Sequence, residues 1–437
     1  MLSDEQQQVV DSIDHFIFLL AGAGSGKTRV IVEKIKKCLE QGVSADKILA
    51  ITFTKKASHE MMERIGDSGI YVHTFHQLAY QTLKNDLNLK FHLIEDNELT
   101  NYTDKELLAI TNYKNSMYQS KRPRVFKRYQ NELKQRNALD FDDLLHVLLE
   151  HLKKHQIRFN FDYIFVDEFQ DTNQLQYHLL LEMRKKETKI FAVGDPDQSI
   201  YMFRGATPHI INQYIKSFDA AVYKLTYNYR SDINIIHTAN RLIKQNRRDY
   251  EKNLISVSKA CGSVYAIKFV DALSEAVGVV NILKHYQKAG VKLHEMVILY
   301  RNHNRAYSVI QELHQKGVSF CLEDDEIRDL NGVRMLTIHQ AKGLEFDLVI
   351  LIGCENEILP ARRDNRFQLF EEERRLMFVG TTRARHFLFF TYREFDEENH
   401  HFTSSIFLRK SGLKTIAQHK FSDIISLGDE DGHQKQN

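Results

Sequence analysis

The feature that most constrains the fold is a glycine-rich octapeptide, AGAGSGKT, at residues 21–28. It follows the apolar run FIFLL (16–20), which is typical of a buried strand, and it leads into TRVIVEKIKKCLE, which has helical spacing. A strand, a glycine-rich loop and a helix in this order are typical of a P-loop, whose backbone N–H groups turn toward phosphates. Residue 21 is alanine where the strict pattern has glycine, a tolerated variant. The sequence therefore predicts a phosphate-binding loop directly after the first strand.

Short apolar runs of strand length recur along the 437 residues and alternate with stretches of helical spacing. Runs that are apolar at every position are typical of parallel strands covered on both faces. There are more of them than one compact domain needs, so the sequence predicts two α/β domains with parallel sheets. The runs are FIFLL (16–20), ILAITF (48–53), YIFVD (163–167), IFAVG (190–194), VYAIKFV (264–270), MVILY (296–300), VRMLTI (333–338), DLVILIG (347–353) and FLFFTY (387–392).

Charge and cysteine content limit the class of protein. Sixty Lys and Arg against 58 Asp and Glu give a net charge of +2, which neither supports nor excludes a nucleic-acid partner. The four cysteines lie far apart, so a zinc site, an iron–sulfur cluster and a disulfide framework are not expected. The N-terminal sequence is acidic and polar, and no apolar run reaches the ~20 residues that span a bilayer. The sequence predicts a soluble, cytoplasmic protein without a membrane partner.

Two segments carry residues suited to phosphoryl chemistry. In the loop, Lys27 would reach the β- and γ-phosphates, and the Thr28 hydroxyl would ligate Mg²⁺. A second strand ends in YIFVDEFQD (163–171), where Asp167 suits the Mg²⁺ shell and Glu168 suits a general base that polarises water. A strand ending in Asp-Glu is only moderately specific alone, but beside a P-loop it predicts a hydrolytic nucleotide site.

A third strand runs into DPDQSIYMFRGA (195–206). Gln198 could sense a γ-phosphate, while Tyr201 and Phe203 offer aromatic faces a few residues away. This proximity makes sense if nucleotide state and base stacking are coupled.

Two further motifs, NYRS (228–231) and GTTRAR (380–385), each present an arginine beside a strand-like segment. An arginine brought from a second domain can stabilise charge in phosphoryl transfer. Taken alone, either arginine is more often a surface residue, so the motifs leave both interpretations open.

Residues 85–139 lack a convincing strand run and have a polar, helical pattern. They include KRPRVFKRYQNELKQR (121–136), with seven basic residues against one acid. Such a segment is either a solvated helix face or a contact surface for nucleic acid. The tail after residue 410 is polar and is expected to be frayed.

In this order, the motifs resemble those of the UvrD/Rep/PcrA family of superfamily-one DNA helicases. The resemblance covers residues 2–392, nearly the whole chain. It implies two RecA-like parallel-sheet P-loop domains in tandem, with a small helical insertion in the first. The segments that carry it are LSDEQQQVV (2–10), AGAGSGKT, LAITFTKKASHEMMERI (49–65), VHTFHQLA (72–79), ALDFDDLL (138–145), IFVDEFQDTNQLQ, VGDPDQSIYMFRGA, LTYNYRS, MLTIHQAKGLEFDLVILIGCENEILP (335–360) and EEERRLMFVGTTRAR (371–385).

The resemblance also implies domain boundaries. Residues 1–84 and 140–218 would form the first core domain, and residues 85–139 its helical insertion, which resembles the family's 1B subdomain. Residues 219–410 would form the second core domain, followed by a polar tail at 411–437.

Roles at the nucleotide site follow where residues match the family's motifs, with ATP and Mg²⁺ as the implied cofactors. Gln6 and the stacking Tyr229 would hold adenine, and Arg230 and Arg383 would be arginine fingers of the second domain. Glu345 falls at a nucleotide-facing position. The remaining residues implied at this site are Ala21, Gly22, Ala23, Gly24, Ser25, Gly26, Lys27, Thr28, Arg29, Arg64, Asp167, Glu168 and Gln198.

Five residues resemble the family's contacts to single-stranded DNA: Phe53, His76, Tyr201, Phe203 and His339. Aromatic stacking binds any base sequence, as a motor requires. The family usually has tryptophan where this chain has Phe203, and the chain contains no tryptophan, so the stacking area is smaller.

The larger departure concerns the helical 2B subdomain, which the family inserts before the segment that begins at residue 335. Here, only CLEDDEIRDLNG (321–332) separates two predicted strands. A segment of that length cannot form a domain with its own core. The sequence therefore predicts a compact family member without 2B and with a reduced 1B insertion.

The resemblance implies an ATP-dependent helicase that moves 3′ to 5′ on single-stranded DNA and acts at junctions with duplex, alone or with a loading or accessory protein. A translocase that displaces bound proteins, or a motor subunit that does not unwind alone, is the alternative. A non-catalytic scaffold is disfavoured because the residues of the chemistry are present. A fused nuclease is unsupported because about 45 residues follow residue 392, where the resemblance ends, and they contain no carboxylate–lysine cluster in a domain-sized segment.

Overall fold

The computed structural model describes residues 2–66, 69–207, 209–322, 331–361 and 367–418, without the side chains of residues 96, 367 and 368. Most of the predicted polar tail lies outside these described residues. The chain divides into two units. The first contains Met1–Gly22 and Gly26–Leu225, and the second contains Ala23–Ser25 and the chain from Thr226 onward.

The first unit is an α/β body in which helices alternate with short strands. In chain order its elements are α1 (Asp4–Asp11), β1 (Phe16–Ala21), α2 (Lys27–Glu40), β2 (Ile48–Ile51), α3 (Lys55–Ile65), β3 (Tyr71–His73), α4 (Phe75–Gln81), β4 (His92–Leu93), α5 (Asp104–Asn115), α6 (Phe126–Gln135), β5 (Ala138–Leu139), α7 (Phe141–Lys153), β6 (Tyr163–Val166), α8 (Gln174–Met183), β7 (Lys189–Gly194), α9 (His209–Phe218) and β8 (Ala221–Leu225).

Six of these strands form one parallel sheet in the order β3-β2-β6-β7-β1-β8. Five of the six residues of β1 are buried, as expected for a parallel strand covered on both faces. Val30, Ile31 and Ile35 of α2 share an apolar cluster with Leu19 and Ala21 of β1. This packing fixes the start of α2 against the carboxyl end of β1, so the loop between them has a rigid support.

The insertion has a small core of its own. Its two-residue strands, β4 and β5, pair in parallel, and α5 and α6 pack beside them. Helix α6 buries Phe126, Tyr129 and Leu133, whose spacing places them on one face of a helix. The opposite face of α6 is left to its charged residues.

A buried ion-pair cluster ties this insertion to α7. The side chain of Lys114, in α5, is fully buried, and its Nζ lies 2.5 Å from Asp140 Oδ2 and 2.7 Å from Asp143 Oδ1. The Tyr129 hydroxyl donates to Asp140 Oδ2 at 2.7 Å. Because a buried charge is costly without its partner, this cluster holds α5, α6 and the start of α7 in one arrangement.

The second unit is also an α/β body. Its elements are β9 (Tyr227–Asn228), α10 (Ile233–Ile243), β10 (Ile255–Ser256), β11 (Ser263–Phe269), α11 (Ala272–Lys288), β12 (Met296–Tyr300), α12 (Tyr307–Gln315), β13 (Phe320–Cys321), β14 (Val333–Thr337), β15 (Phe346–Leu351), α13 (Phe367–Thr381), β16 (Ala384–Arg393), α14 (Ile406–Lys410) and β17 (Thr415–Ala417). Seven strands form a parallel sheet in the order β13-β14-β12-β15-β16-β11-β17, and β9 pairs with β10.

The two sheets confirm the prediction of two parallel-sheet α/β domains in tandem. Strand β8, which the sequence prediction assigned to the start of the second domain, pairs with β1 in the first sheet. In the described part of the chain, none of the helices has both the length and the apolar character needed to cross a bilayer.

Strands β13 and β14 are parallel neighbours in the second sheet. Residues 322–332 connect them, and 323–330 lie outside the described residues. A crossover between parallel strands usually takes a dozen or more residues, so this connection is near the lower limit. It has no room for a subdomain at the position where the sequence predicts that 2B is missing.

Candidate nucleotide site and nucleic-acid interface

The glycine-rich loop ends in a left-handed backbone that leads into α2. Gly26 precedes the first residue of α2 and has φ of 80°, which favours glycine. A Cβ atom at Gly26 would lie 2.8 Å from Nε2 of Gln6, so the tip of the Gln6 side chain would have to move. The left-handed turn favours glycine, and glycine also leaves the Gln6 amide in place. The amino end of α2 that results is suited to anions because its first N–H groups have no partner within the helix.

Gln6 is buried, with 3% of its surface exposed, and is held by the start of α1. Its backbone N–H donates to Ser3 Oγ, and its side-chain Oε1 accepts from the Ser3 N–H at 3.1 Å. This capping box fixes the Gln6 amide against Gly26. The structure therefore brings the predicted adenine-binding residue to the phosphate loop.

Lys27 and Glu168 form an ion pair across the carboxyl edge of the sheet. Lys27 Nζ lies 3.2 Å from Glu168 Oε1, with 12% and 21% of the two side chains exposed. Glu168 and Asp167 follow β6, and the Glu168 N–H donates to Asp167 Oδ1 at 2.8 Å. Glu168 has φ of 50°, an uncommon conformation for a residue other than glycine. The structure therefore places the predicted base beside the lysine predicted to bind phosphate.

Asp167 and Thr28 fit a magnesium ion by the chemistry of their donor atoms. One is a carboxylate after β6, and the other is a hydroxyl in the first turn of α2. Among the described residues, no group of three or more His, Cys, Asp or Glu side chains could hold a metal ion. Mg²⁺ is usually bound by one or two protein oxygens together with substrate phosphates and water, so the pair is an adequate protein contribution.

Two arginines predicted at the nucleotide site, Arg29 and Arg64, lie at different distances from the glycine-rich loop. Arg29 is exposed in the first turn of α2, one residue after Thr28. Arg64 lies in the last turn of α3, is exposed, and pairs with Glu60. Arg64 comes nine residues after Lys55, the first residue of α3, so it lies roughly 14 Å along the helix axis from the carboxyl edge of the sheet. The structure therefore does not bring Arg64 to the loop.

In the second unit, Arg230 is held by two acceptors. Its Nε donates to Glu345 Oε2 at 2.6 Å and its Nη1 to the Thr382 carbonyl at 3.0 Å. Arg385 Nη2 donates to the other oxygen of Glu345 at 2.8 Å. Burial would raise the pKa of Glu345, but the charge of Arg230 and the hydrogen bonds from Arg385 and Arg230 outweigh it and lower the pKa to about 2. Glu345 is thus ionised near pH 7 and holds the Arg230 side chain through this ion pair.

The other predicted arginine finger, Arg383, is almost fully buried. Its Nε donates to the Val379 carbonyl at 3.0 Å and its Nη1 to the Leu344 carbonyl at 3.1 Å. Tyr229 is about half exposed, and its N–H donates to the Gly24 carbonyl at 2.8 Å. His339 is half-buried just after β14.

The aromatic residues predicted to contact DNA in the first unit form one surface. Phe53 and Tyr201 are stacked, with ring centroids 4.9 Å apart and an interplanar angle of 27°. Phe203 lies next to Tyr201 at 6.0 Å, and the guanidinium of Arg204 lies over both of these rings. Flat aromatic faces with a nearby cation are suited to stacked bases and their phosphates.

A cavity of about 450 Å³ connects this surface with the two carboxylates that follow β6. Asp167 and Glu168 line one part of it, and Phe53 and Tyr201 line another. Threonine and asparagine side chains of the insertion and of α8's cap complete the wall, including Thr111, Asn115 and Asn173. In the first unit, the residues predicted to hydrolyse ATP and those predicted to contact DNA therefore line one cavity.

His76 and Phe141 line the same cavity and meet edge to face, with centroids 5.9 Å apart. Burial lowers the pKa of His76 to about 4, against the opposing charge of Asp140, so the imidazole is neutral near pH 7. Phe141 is 48% exposed and was not predicted as a contact residue. The signal that could have found it is ALDFDDLL, where a large apolar residue stands among three acids at a helix start.

Comparison with known families agrees with this geometry. The family model described as the UvrD/REP helicase N-terminal domain matches residues 2–122 and 90–219. The model described as the UvrD-like helicase C-terminal domain matches residues 223–327 and 321–394. The chain belongs to the UvrD/Rep helicase family. The two stretches matched by the C-terminal model meet at the connection between β13 and β14, the position where the sequence predicts that 2B is missing.

The chain is also similar to individual proteins that are named as DNA helicases. The chain is 32% identical over 373 residues to a probable DNA helicase II homolog of Mycoplasma capricolum, covering 74% of this chain and 52% of the relative. It is 33% identical over 366 residues to the ATP-dependent DNA helicase PcrA of Staphylococcus epidermidis, covering 72% and 50%. PcrA of Staphylococcus aureus gives the same values. The UvrD-like chain spans about half the length of these curated relatives.

Proposed function

We propose that this chain is an ATP-driven DNA motor that moves 3′ to 5′ along a single strand and separates duplex ahead of it. The observation that carries the proposal is the cavity in the first unit, which is lined by Asp167 and Glu168 and also by the stacked pair Phe53 and Tyr201. A site of hydrolysis and a base-stacking surface share one space. The direction of movement rests on the family resemblance.

In this proposal, Lys27 binds the β- and γ-phosphates at the amino end of α2. Thr28 and Asp167 would hold Mg²⁺, which would supply positive charge to neutralise the phosphates. Glu168 accepts the proton of the attacking water, and Gln198 contacts the γ-phosphate. Adenine is bound by the Gln6 amide and by the ring of Tyr229.

In this proposal, single-stranded DNA is bound mainly by stacking of its bases on aromatic side chains. Phe53, Tyr201 and Phe203 stack with bases, and the neutral His76 with its neighbour Phe141 extends that surface. His339 of the second unit is proposed as a further contact on the basis of resemblance. Because these contacts do not read base edges, the motor acts on any sequence.

ATPase assays with and without single-stranded DNA or RNA test the proposal. We expect DNA to stimulate hydrolysis and a duplex with a 3′ single-stranded tail to be unwound, while one with a 5′ tail is not. Loss of a blocking protein from single-stranded DNA, without unwinding of a fork, would instead favour the translocase or motor-subunit alternative. Hydrolysis that no nucleic acid stimulates would contradict the proposal.

The arginines of the second unit provide one prediction. Arg230→Ala and Arg383→Ala should each lower kcat for ATP hydrolysis about 10³-fold or more, because an arginine finger acts mainly on transition-state charge. The dissociation constant for ATP should change much less. Arg409→Ala, which removes an exposed arginine of α14, is the matched control. Equal losses of binding and turnover would make the two arginines ground-state phosphate ligands.

The basic face of the insertion provides a second prediction, about DNA binding. Arg128 lies over the Tyr102 ring at 4.8 Å and donates to the Asn101 carbonyl, so it supports the fold. Arg124, Lys127 and Lys134 are exposed and are better probes of DNA binding. Replacing these three with alanine should weaken unwinding and flatten the salt dependence of duplex affinity by about 0.9 for each phosphate that the variant no longer neutralises. ATPase activity at saturating single-stranded DNA should stay nearly intact.

The control for that variant replaces Lys153, Lys154 and Lys186, which are equally exposed but lie on α7 and beyond α8. It removes the same charge from another surface of the first unit. If both triple variants unwind duplex like the parent protein and share its salt slope, the basic segment is only a solvated helix face.

A further inference from the structure

Gln170 lies between the two motifs that supply the proposed base and the proposed phosphate sensor. It follows Glu168 by two residues and is fully buried. Its Nε2 donates to Glu168 Oε2 and, at 3.4 Å, to Asp171 Oδ2. Its Oε1 accepts from the Asp195 N–H at 2.9 Å. Both ends of the amide are therefore used, one toward each motif.

From Asp195 the chain of hydrogen bonds continues to Gln198. Gln198 Nε2 donates to Asp195 Oδ2 at 2.7 Å, and the Asp197 N–H donates to Asp195 Oδ1 at 3.0 Å. Asp195 is fully buried and Gln198 is 3% exposed. Hydrogen bonds shielded from water are strong and polarise one another, so this buried chain is a direct link from Gln198 through Asp195 to Gln170.

A glycine at the end of β7 leaves room for the side-chain amide of Gln170. Gly194, the last residue of β7, lies directly against Gln170. A Cβ atom there would be 2.8 Å from Gln170 Oε1 and 3.2 Å from its backbone N. Any side chain at residue 194 would push the amide away from Asp195. The contact therefore depends on glycine at that position.

The two oxygens of Glu168 have different partners. Oε1 faces Lys27 Nζ, and Oε2 accepts from Gln170. A phosphate that binds Lys27 competes with Oε1 for the ammonium charge. The hydrogen bond from Gln170 does not depend on Lys27, so it can hold the carboxylate in position while Lys27 engages the nucleotide.

We propose that Gln170 is a positioning residue that orients the Glu168 carboxylate and couples it, through Asp195, to the phosphate contact made by Gln198. The proposal rests on the proposed function, in which Glu168 is the base of ATP hydrolysis. Gln170 itself touches neither water nor phosphate in this role. Its effect is to make the base competent only when Gln198 is in its phosphate-bound position.

The test is steady-state ATPase kinetics, with a pH profile, on Gln170→Glu and Gly194→Ala. Gln170→Glu keeps the size but replaces the donor to Glu168 with a second carboxylate. We expect kcat to fall about 10²-fold with KM for ATP within about twofold, since glutamate loses the donor to Glu168 but keeps an oxygen that can accept from the Asp195 N–H. The acid limb of the pH profile should move to higher pH, because a neighbouring carboxylate raises the pKa of Glu168. Gln213→Glu, at an exposed site on α9, is the control.

Gly194→Ala displaces the same amide without adding a charge. We therefore expect kcat to fall at unchanged KM, and we expect the acid limb of the pH profile to stay where it is in the parent protein. If Gln170→Glu fails to fold, as seen by circular dichroism, Gly194→Ala decides alone. Parent-like kcat in the variants that fold would overturn the proposal. Glu168→Gln is measured in parallel. If Glu168→Gln retains turnover, the assignment of Glu168 as the base is wrong. If Glu168→Gln is inactive and Gln170→Glu is fully active, only the role of Gln170 is wrong.

Discussion

Lys27→Ala is expected to abolish ATP hydrolysis. Lys27 is the first residue of α2, so its ammonium stands at the helix end where the phosphates are proposed to bind. Alanine removes the positive charge that neutralises the β- and γ-phosphates. Turnover should fall below detection in an assay that resolves a loss of about 10³-fold, both with and without single-stranded DNA.

The matched control is Lys186→Ala, which removes an exposed lysine between α8 and β7. Thermal unfolding of both variants should be compared with that of the parent protein, because Lys27 also pairs with Glu168. That pair is largely screened from solvent, and its loss leaves Glu168 without one partner. A Lys27→Ala protein that folds and still hydrolyses ATP at a measurable DNA-stimulated rate would refute the phosphate assignment.

Glu168→Gln is expected to separate binding from turnover. Glutamine keeps the length of the side chain but cannot accept the proton of the attacking water. We expect kcat to fall by about 10²- to 10⁴-fold, the range contributed by general acid–base catalysis. ATP affinity should be retained or increased, because glutamine competes less than a carboxylate for Lys27 Nζ, 3.2 Å away in the parent protein.

The measurement pairs equilibrium binding of a fluorescent ATP analogue with single-turnover hydrolysis. Glu150→Gln, an exposed position on α7, makes the same chemical change away from the site. Near-normal hydrolysis by Glu168→Gln would assign the base elsewhere. Loss of binding together with hydrolysis would indicate that Glu168 organises the loop rather than the water.

Much of the fold could be predicted from local pattern. The run FIFLL followed by AGAGSGKT predicts β1, the loop and α2, because each element is specified by its own residues. The ion pair between Lys27 and Glu168 also follows, since the carboxyl ends of parallel strands lie at one edge of a sheet.

What the sequence could not supply depends on contacts between distant residues. Lys114 has the pattern of one more charge in a polar helix, yet it is fully buried between Asp140 and Asp143. Strand β8 alternates half-buried and exposed residues, and only its last residue, Leu225, is buried, so its place beside β1 has no strong apolar signal. Arg64 was assigned from a motif, but the direction of α3 takes it to the far edge of the sheet. For Lys114 and for β8, the deciding partner lies in another element, whereas the position of Arg64 follows from the direction of its own helix.

The left-handed backbone at Glu168 has a consequence for any attempt to stabilise this protein. An L-residue in that conformation costs roughly 1–2 kcal/mol relative to the right-handed one, and glycine escapes most of it. Glycine at residue 168 would relax the turn after β6, but it would delete the carboxylate. Directed evolution for heat tolerance alone would therefore reward inactive clones at this codon, so a library screened by melting temperature needs an activity counter-screen there.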